Sequence, residues 1–190
     1  MQPVILVSGL PRSGTSMMMK MLAAGGVEIY TDQIRQPDED NPQGYYEVEK
    51  VKELYKDATW MRKLQGGAVK VISFLLYHVP VSMKFKVIFM QREMSEILQS
   101  QQKMLARANQ QTTPDEDEAL AQKFTTHLAK IVEWLGKQRN MDCLYVNYNQ
   151  VLADPRPVVA EIQRFLELPL NTEAMLAAVD ASLYRNRKNA

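Results

Sequence analysis

Near the N-terminus, Gly9-Leu10-Pro11-Arg12-Ser13-Gly14-Thr15-Ser16 sets two glycines five positions apart and ends on two hydroxyls. This is the G-x-x-x-x-G-x-[ST] spacing of a phosphate-binding loop. Glycines let the backbone curl so that successive N–H groups converge, and a helix N-terminus behind them adds positive potential. The chemistry such a stretch can do is to hold a phosphate or sulfate. In loops that serve nucleoside triphosphates a lysine reaches the β- and γ-phosphates, and a strand-end aspartate helps to hold magnesium. Thr15 stands in the lysine's place. No apolar strand ends in an aspartate either: residues 86–90 run into Gln91-Arg92, and residues 144–146 into Asn147-Tyr148. The fixed cation inside the loop is Arg12, whose guanidinium can grip two anion oxygens in one fork. A cradle without the metal-triphosphate machinery speaks against a small P-loop kinase or NTPase, and for an anion that needs no metal.

The elements that must position this loop follow from the pattern around it. Residues 4–7 are a β-rich apolar run leading into Gly9, and residues 17–24 read as a helix stopped by Gly25-Gly26. Residues 27–30 have the composition of a short second strand. Residues 32–44 carry two prolines, several acids and no periodicity, so they read as a loop. Residues 47–64 have helical spacing, with Val48, Val51, Leu54, Tyr55 and Met61 apolar. Residues 68–72 and 86–90 are strands, the second followed by a helix over 94–107. Thr113-Pro114-Asp115-Glu116 is a helix start, with a capping hydroxyl, proline at the first position and acids at the positive dipole end. That helix should reach residue 137. Residues 144–146 form a last strand, and Asp154-Pro155 opens a helix with Val158, Val159, Ile162, Phe165 and Leu166 apolar. Strands separated by helices require crossover connections, so the expected fold is α/β: a P-loop nucleotide-binding fold whose mainly parallel sheet is flanked by helices. The 190 residues suit a single domain over residues 1–190.

Composition excludes several classes. The formal net charge is +1, so no broad basic surface for nucleic acid is expected. Cys143 is the lone cysteine, which excludes an internal disulfide framework and a multi-cysteine metal site, and it reads as a small buried hydrophobe. No run approaches the ~20 apolar residues of a membrane span. The N-terminal apolar run is too short for a signal peptide. The expected setting is a reducing cytoplasm.

The loop's second half, Pro11-Arg12-Ser13-Gly14-Thr15-Ser16, resembles the 5′-phosphosulfate loop of sulfotransferases that use 3′-phosphoadenosine 5′-phosphosulfate (PAPS), in the P-R-S-G-T-[ST] form of protein-tyrosine, carbohydrate and many bacterial members. The resemblance demands a second anion site for the 3′-phosphate: an arginine at a strand end and a serine eight residues on. Arg92 and Ser100, after the strand KVIFM, meet it. Arg92 falls at the carboxyl edge of a parallel sheet, where ligands bind. Alone, R-x7-S is weak and would read as a surface arginine and a helix-face serine. Its place downstream of the loop makes it specific. Tyr148 to Pro155, with Ile162 and Phe165-Leu166, resembles the family's Y-x-x-L-x-x-D-P helix leading to F-L, a packing signature.

What the resemblance implies is transfer of a sulfuryl group from PAPS to an acceptor hydroxyl or amine, leaving PAP, without a metal. Arg12 would contact the bridging and sulfate oxygens, and Thr15 and Ser16 would hold the 5′-phosphate. The base stays open. The cytosolic branch places a histidine where this chain has Lys70-Val71-Ile72. Other branches use a carboxylate after the loop's helix, and two fit: Asp32, at the protein-tyrosine branch's position, and Glu47, in DNPQGYYE, which resembles an N-P-x-G-Y-x-E segment of bacterial members. Their plain readings are a turn residue and a first-turn helix acid. His78 is a third candidate, with a helix-end histidine as its plain reading, and His127 reads as structural. Asp38, Glu39 and Asp40 read as solvated acids. Met17, Met18, Met19 and Met21 read as sheet packing, and Trp60 and Trp134 as packing anchors. Arg185, Arg187 and Lys188 read equally as a clamp on the nucleotide or a solvated tail. The acceptor, whether small molecule, sugar or tyrosine-containing peptide, and the oligomeric state are not legible. The chain is short for the family, so acceptor-binding parts are expected to be small or supplied by a partner. The rival outside enzymes is a degenerate nucleotide-binding interaction protein.

Overall fold

A computed structural model of the chain describes residues 2–32, 34 and 44–179. The acids at 38–40 and the basic residues at 185–188 lie outside the described residues. Four parallel strands form one sheet in the order β2-β1-β3-β4, with β1 Val4–Gly9, β2 Ala68–Lys70, β3 Phe85–Gln91 and β4 Met141–Asn147. Register runs Val7 to Lys70 on one side of β1 and Gly9 to Met90 on the other; Gln91 pairs with Asn147. All four strands point the same way, so their carboxyl ends share one edge.

Each face of the sheet is buried, as its near-continuous apolar strands require. On one face Ile5, Val7, Ile88, Met90 and Val146 pack against α1 (Thr15–Ala24), α4 (Tyr148–Ala153), α5 (Pro155–Leu166) and α6 (Thr172–Ala177). Met18, Met19 and Met21 are fully buried there and Met17 partly so, which makes the methionines the packing surface expected of them. On the other face Leu6, Val69, Val87 and Phe89 meet Ile131 and Leu135 of α3 (Pro114–Leu135) together with Val51, Leu54, Met61 and Leu76. Trp60 and Trp134 pack against this second cluster. A third, small cluster joins Leu10 of the loop to Ile97 of α2 (Met94–Arg107) and Phe124 of α3.

Beyond shifts of a few residues at element ends, such as β4 starting at Met141 and β2 ending at Lys70, the structure departs from the sequence reading in two places. Residues 47–64 form no single helix but two 3₁₀ turns, Glu49–Glu53 and Thr59–Lys63. The break has a local cause: Asp57 Oδ1 accepts from both Thr59 N at 2.8 Å and Thr59 Oγ1 at 2.6 Å, a side-chain turn that competes with helix continuation. Residues 27–30 make one bridge, Ile29 to Ala68, rather than a strand, because β2 is only three residues long. The start of α3 is as expected. Thr113 and Glu116 form a complete capping box ahead of Pro114. Thr113→Ala should therefore cost about 1 kcal/mol and lower the melting temperature by roughly 2–4 °C; an unchanged melting curve would mean the cap does not hold this helix.

Candidate active site

The carboxyl edge of the sheet gathers one group from every strand. β1 delivers the loop. Its turn is tight: Ser13 N and Ser13 Oγ both donate to Leu10 O, at 3.2 and 2.7 Å. Arg12 sits at the apex with φ 68°, a left-handed backbone unusual for a side-chain-bearing residue. Gly14 is the N-cap of α1 with φ 99°; it has no side chain with which to cap the helix, and no acid lies in the first turn. A helix start behind a curled loop can seat an anion. Thr15 is buried and Ser16 half-buried beside it.

β3 delivers Arg92, and α2 delivers Ser100 on its second turn. The two expected anion sites touch. Arg12 Nε donates to Ser100 Oγ at 2.9 Å, and Arg92 Nη1 donates to the Arg12 carbonyl at 3.0 Å. Both ends of Arg12 are thus tied to the R-x7-S element. β4 ends in Asn147, which caps α4 by accepting from Asn149 N and Gln150 N. The next residue, Tyr148, lies under the Arg92 guanidinium, 4.3 Å from its carbon to the ring centroid. The Y-x-x-L-x-x-D-P signature therefore contributes a wall to the site as well as packing.

β2 delivers Lys70, which the sequence reading passed over. It is 7% exposed, and its Nζ donates to Tyr45 O at 2.7 Å, to Glu47 Oε1 at 3.1 Å and, more distantly, to Ser16 Oγ at 3.4 Å. A lysine side chain this deep needs hydrogen-bonding and charged partners such as these. Lys70 joins Glu47 to the anion loop.

The other base candidates lie differently. The backbone brings Asp32 beside Glu47, Asp32 N donating to Glu47 O at 3.2 Å. The Asp32 carboxylate, however, accepts from Glu49 N at 2.5 Å and Ile34 N at 3.1 Å. The Glu49 amide holds its pKa below the ordinary carboxylate value. It is exposed and starts the first 3₁₀ turn. His78 is exposed at the end of a 3₁₀ turn, Ser73–His78, with its ring edge-on to Tyr55 at 6.4 Å. His127 is structural: Nε2 lies 2.9 Å from Ser73 Oγ, its ring stacks on Phe74 at 3.8 Å, and burial lowers its pKa. Cys143 is half-buried, and burial pushes its thiol up to about 11.

Among the described residues no grouping of three or more His, Cys, Asp or Glu could hold a metal ion, and no helix is long and apolar enough to cross a membrane. A shallow groove of about 610 Å³ lies over Phe74, Lys123, Thr126, His127 and Lys130, on the α3 side of the molecule.

Solved structures share this fold. The sulfotransferase domain from the curacin biosynthetic pathway superposes with a TM-score of 0.56 at 13% identity, covering 95% of this chain and 78% of its own. A mouse sulfotransferase complexed with PAP gives 0.58 at 18% identity, covering 95% of this chain but 63% of its own length. A sulfotransferase from Mycobacterium tuberculosis gives 0.58 at 18%, with 94% and 71% covered. These likenesses establish the fold. No curated protein matches the chain in sequence. The model of the sulfotransferase domain family matches residues 2–190, so the loop, the strand-end arginine and the sheet that carries them have their setting: this chain belongs to the sulfotransferase domain family.

Proposed function

We propose that the chain, as a single domain, transfers a sulfuryl group from PAPS to an acceptor hydroxyl or amine and releases PAP. The observation that carries the reading is the joining of two anion sites on one sheet edge: the start of α1 with its loop, and Arg92 with Ser100, linked through Arg12. Two anion sites on one edge suit a nucleotide that carries both a 5′- and a 3′-phosphate. Pro11, Ser13 and Gly14 shape the loop, and its N–H groups with Thr15 and Ser16 take the 5′-phosphate. Arg12 and Lys70 neutralise charge on the sulfuryl oxygens and the departing phosphate. Arg92 and Ser100 take the 3′-phosphate.

Glu47 is the base this arrangement favours. It shares Lys70 with Ser16 of the loop, whereas Asp32 spends its carboxylate on backbone amides. In the transfer the acceptor oxygen bonds to sulfur as the sulfur–phosphate oxygen bond breaks. The acceptor proton goes to the Glu47 carboxylate, and the electron pair leaves with the phosphate of PAP. The acceptor is a small molecule, sugar or peptide. A lone cysteine with no disulfide suits a reducing cytoplasm.

Calorimetric titration tests the reading. PAP should bind without metal in preference to ADP and ATP–magnesium, and Arg92→Ala should weaken it about 10- to 100-fold, the worth of a charge-assisted bond to phosphate. A preference for ATP–magnesium would instead indicate a divergent kinase loop, and binding of neither a degenerate module.

A further inference from the structure

Arg92 is held by more than a ligand contact requires. Its Nε donates to Glu96 Oε2 at 3.0 Å, one turn into α2, and its Nη1 to the Arg12 carbonyl. Tyr148 covers one face of the guanidinium. Glu96 is only 2% exposed, and its second oxygen accepts from Asn149 Nδ2 at 3.0 Å. A carboxylate here works against simple anion attraction, because it offsets the charge of the arginine meant for a phosphate. Buried ion pairs are often neutral or unfavourable for stability, and the geometry they impose is what they can offer. In this pair the geometry is specific. An arginine has a flexible stem and five N–H donors in a rigid plane. Glu96 fixes one edge of that plane, the Arg12 carbonyl a second point, and Tyr148 its tilt. The Nη2 amine is used by none of these contacts.

We infer that Glu96 is a positioning residue: through Arg92 it makes the site selective for nucleotides that carry a 3′-phosphate. This rests on the reading of Arg92 as the 3′-phosphate ligand. Asn149 supports Glu96 from α4, so the start of that helix takes part in nucleotide choice. The carboxylate trades strength of attraction for a fixed fork that a nucleotide lacking the 3′-phosphate cannot use.

The test compares PAP with adenosine 5′-phosphate by calorimetry on the full chain. Glu96→Ala should weaken PAP about tenfold and leave adenosine 5′-phosphate within about twofold, because only the former uses Arg92. Glu96→Gln, which keeps an acceptor for Arg92 Nε, should retain PAP affinity within about threefold. In an Arg92→Ala background Glu96→Ala should not change the ratio further. Equal weakening of both ligands, an unchanged ratio, or the same loss of ratio without Arg92 would overturn the inference. If Glu96→Ala does not fold, Asn149→Ala should shift the ratio in the same direction by a smaller factor, and an unchanged ratio there would overturn it equally. A wild-type protein with no preference for PAP over adenosine 5′-phosphate would instead sink the nucleotide reading itself, before any variant is compared.

Discussion

Glu47→Gln should lower turnover about 10²- to 10⁴-fold, the range for loss of a general base, while PAP binds within about twofold of wild type. The amide keeps the size of the carboxylate and can still accept from Lys70, so the cation stays near its place and the loss reports on the proton. Asp32→Asn is the control. Its carboxylate starts a 3₁₀ turn through Glu49 N, and an asparagine oxygen can do the same, so turnover should stay within about threefold. The measurement is label transfer from PAPS to the best acceptor in a panel of phenols, alcohols, sugars and tyrosine peptides. A large loss in Asp32→Asn or His78→Ala, with Glu47→Gln near wild type, would move the base and leave Lys70 and Glu47 a structural pair.

Asp32 should also make stability depend on acid. The Glu49 amide stabilises the charged form of Asp32, so its pKa in the folded chain is below that in the unfolded chain. The unfolded state then binds the proton first as pH falls. The contribution of Asp32 to stability is thus complete above its unfolded value of about 4 and fades as pH drops through the folded value. Asp32→Asn should flatten the acid side of the stability profile without moving the pH dependence of turnover.

Much of this site could be read before the fold was known, for a physical reason. The loop, and the strand-end arginine with its serine, are local patterns, because a backbone cradle and one helical face need neighbouring residues. The strand runs were legible because both faces of the sheet are buried. What was not legible depends on distant partners. Lys70 looks like the polar end of a short strand until the chain returns Tyr45 and Glu47 to it, 25 and 23 residues away. Glu96 looks like an ordinary helix acid until Asn149, 53 residues on, closes over it. The helix expected over residues 47–64 failed for the opposite reason. Its apolar spacing held at Val51, Leu54 and Met61, which are buried, but not at Tyr55, which is exposed. A single aspartate at 57 bound the amide of Thr59, two residues on, and broke the ladder.

Gly14→Ala should lower the melting temperature by roughly 5–15 °C and weaken PAP by about 100-fold or more. Two costs combine. At φ 99° an alanine is strained whatever the space around it, by about 1–3 kcal/mol. Its Cβ would also fall far inside contact distance of Tyr148 Cδ2. The ring is buried, and its face carries the Arg92 guanidinium, so it cannot retreat without disturbing the proposed second anion site. One methyl group would therefore strike at both ends of the proposed nucleotide. Gly26→Ala separates the two costs. Its φ is 92°, nearly the same, but nothing lies within 4 Å of where the Cβ would be. It should lose stability by the strain alone and bind PAP normally. Tyr148→Ala added to Gly14→Ala should recover part of the melting temperature but not PAP affinity, because the wall behind Arg92 is then gone. Equal effects of Gly14→Ala and Gly26→Ala on nucleotide binding would show that the contact between Gly14 and Tyr148 does not couple the two sites.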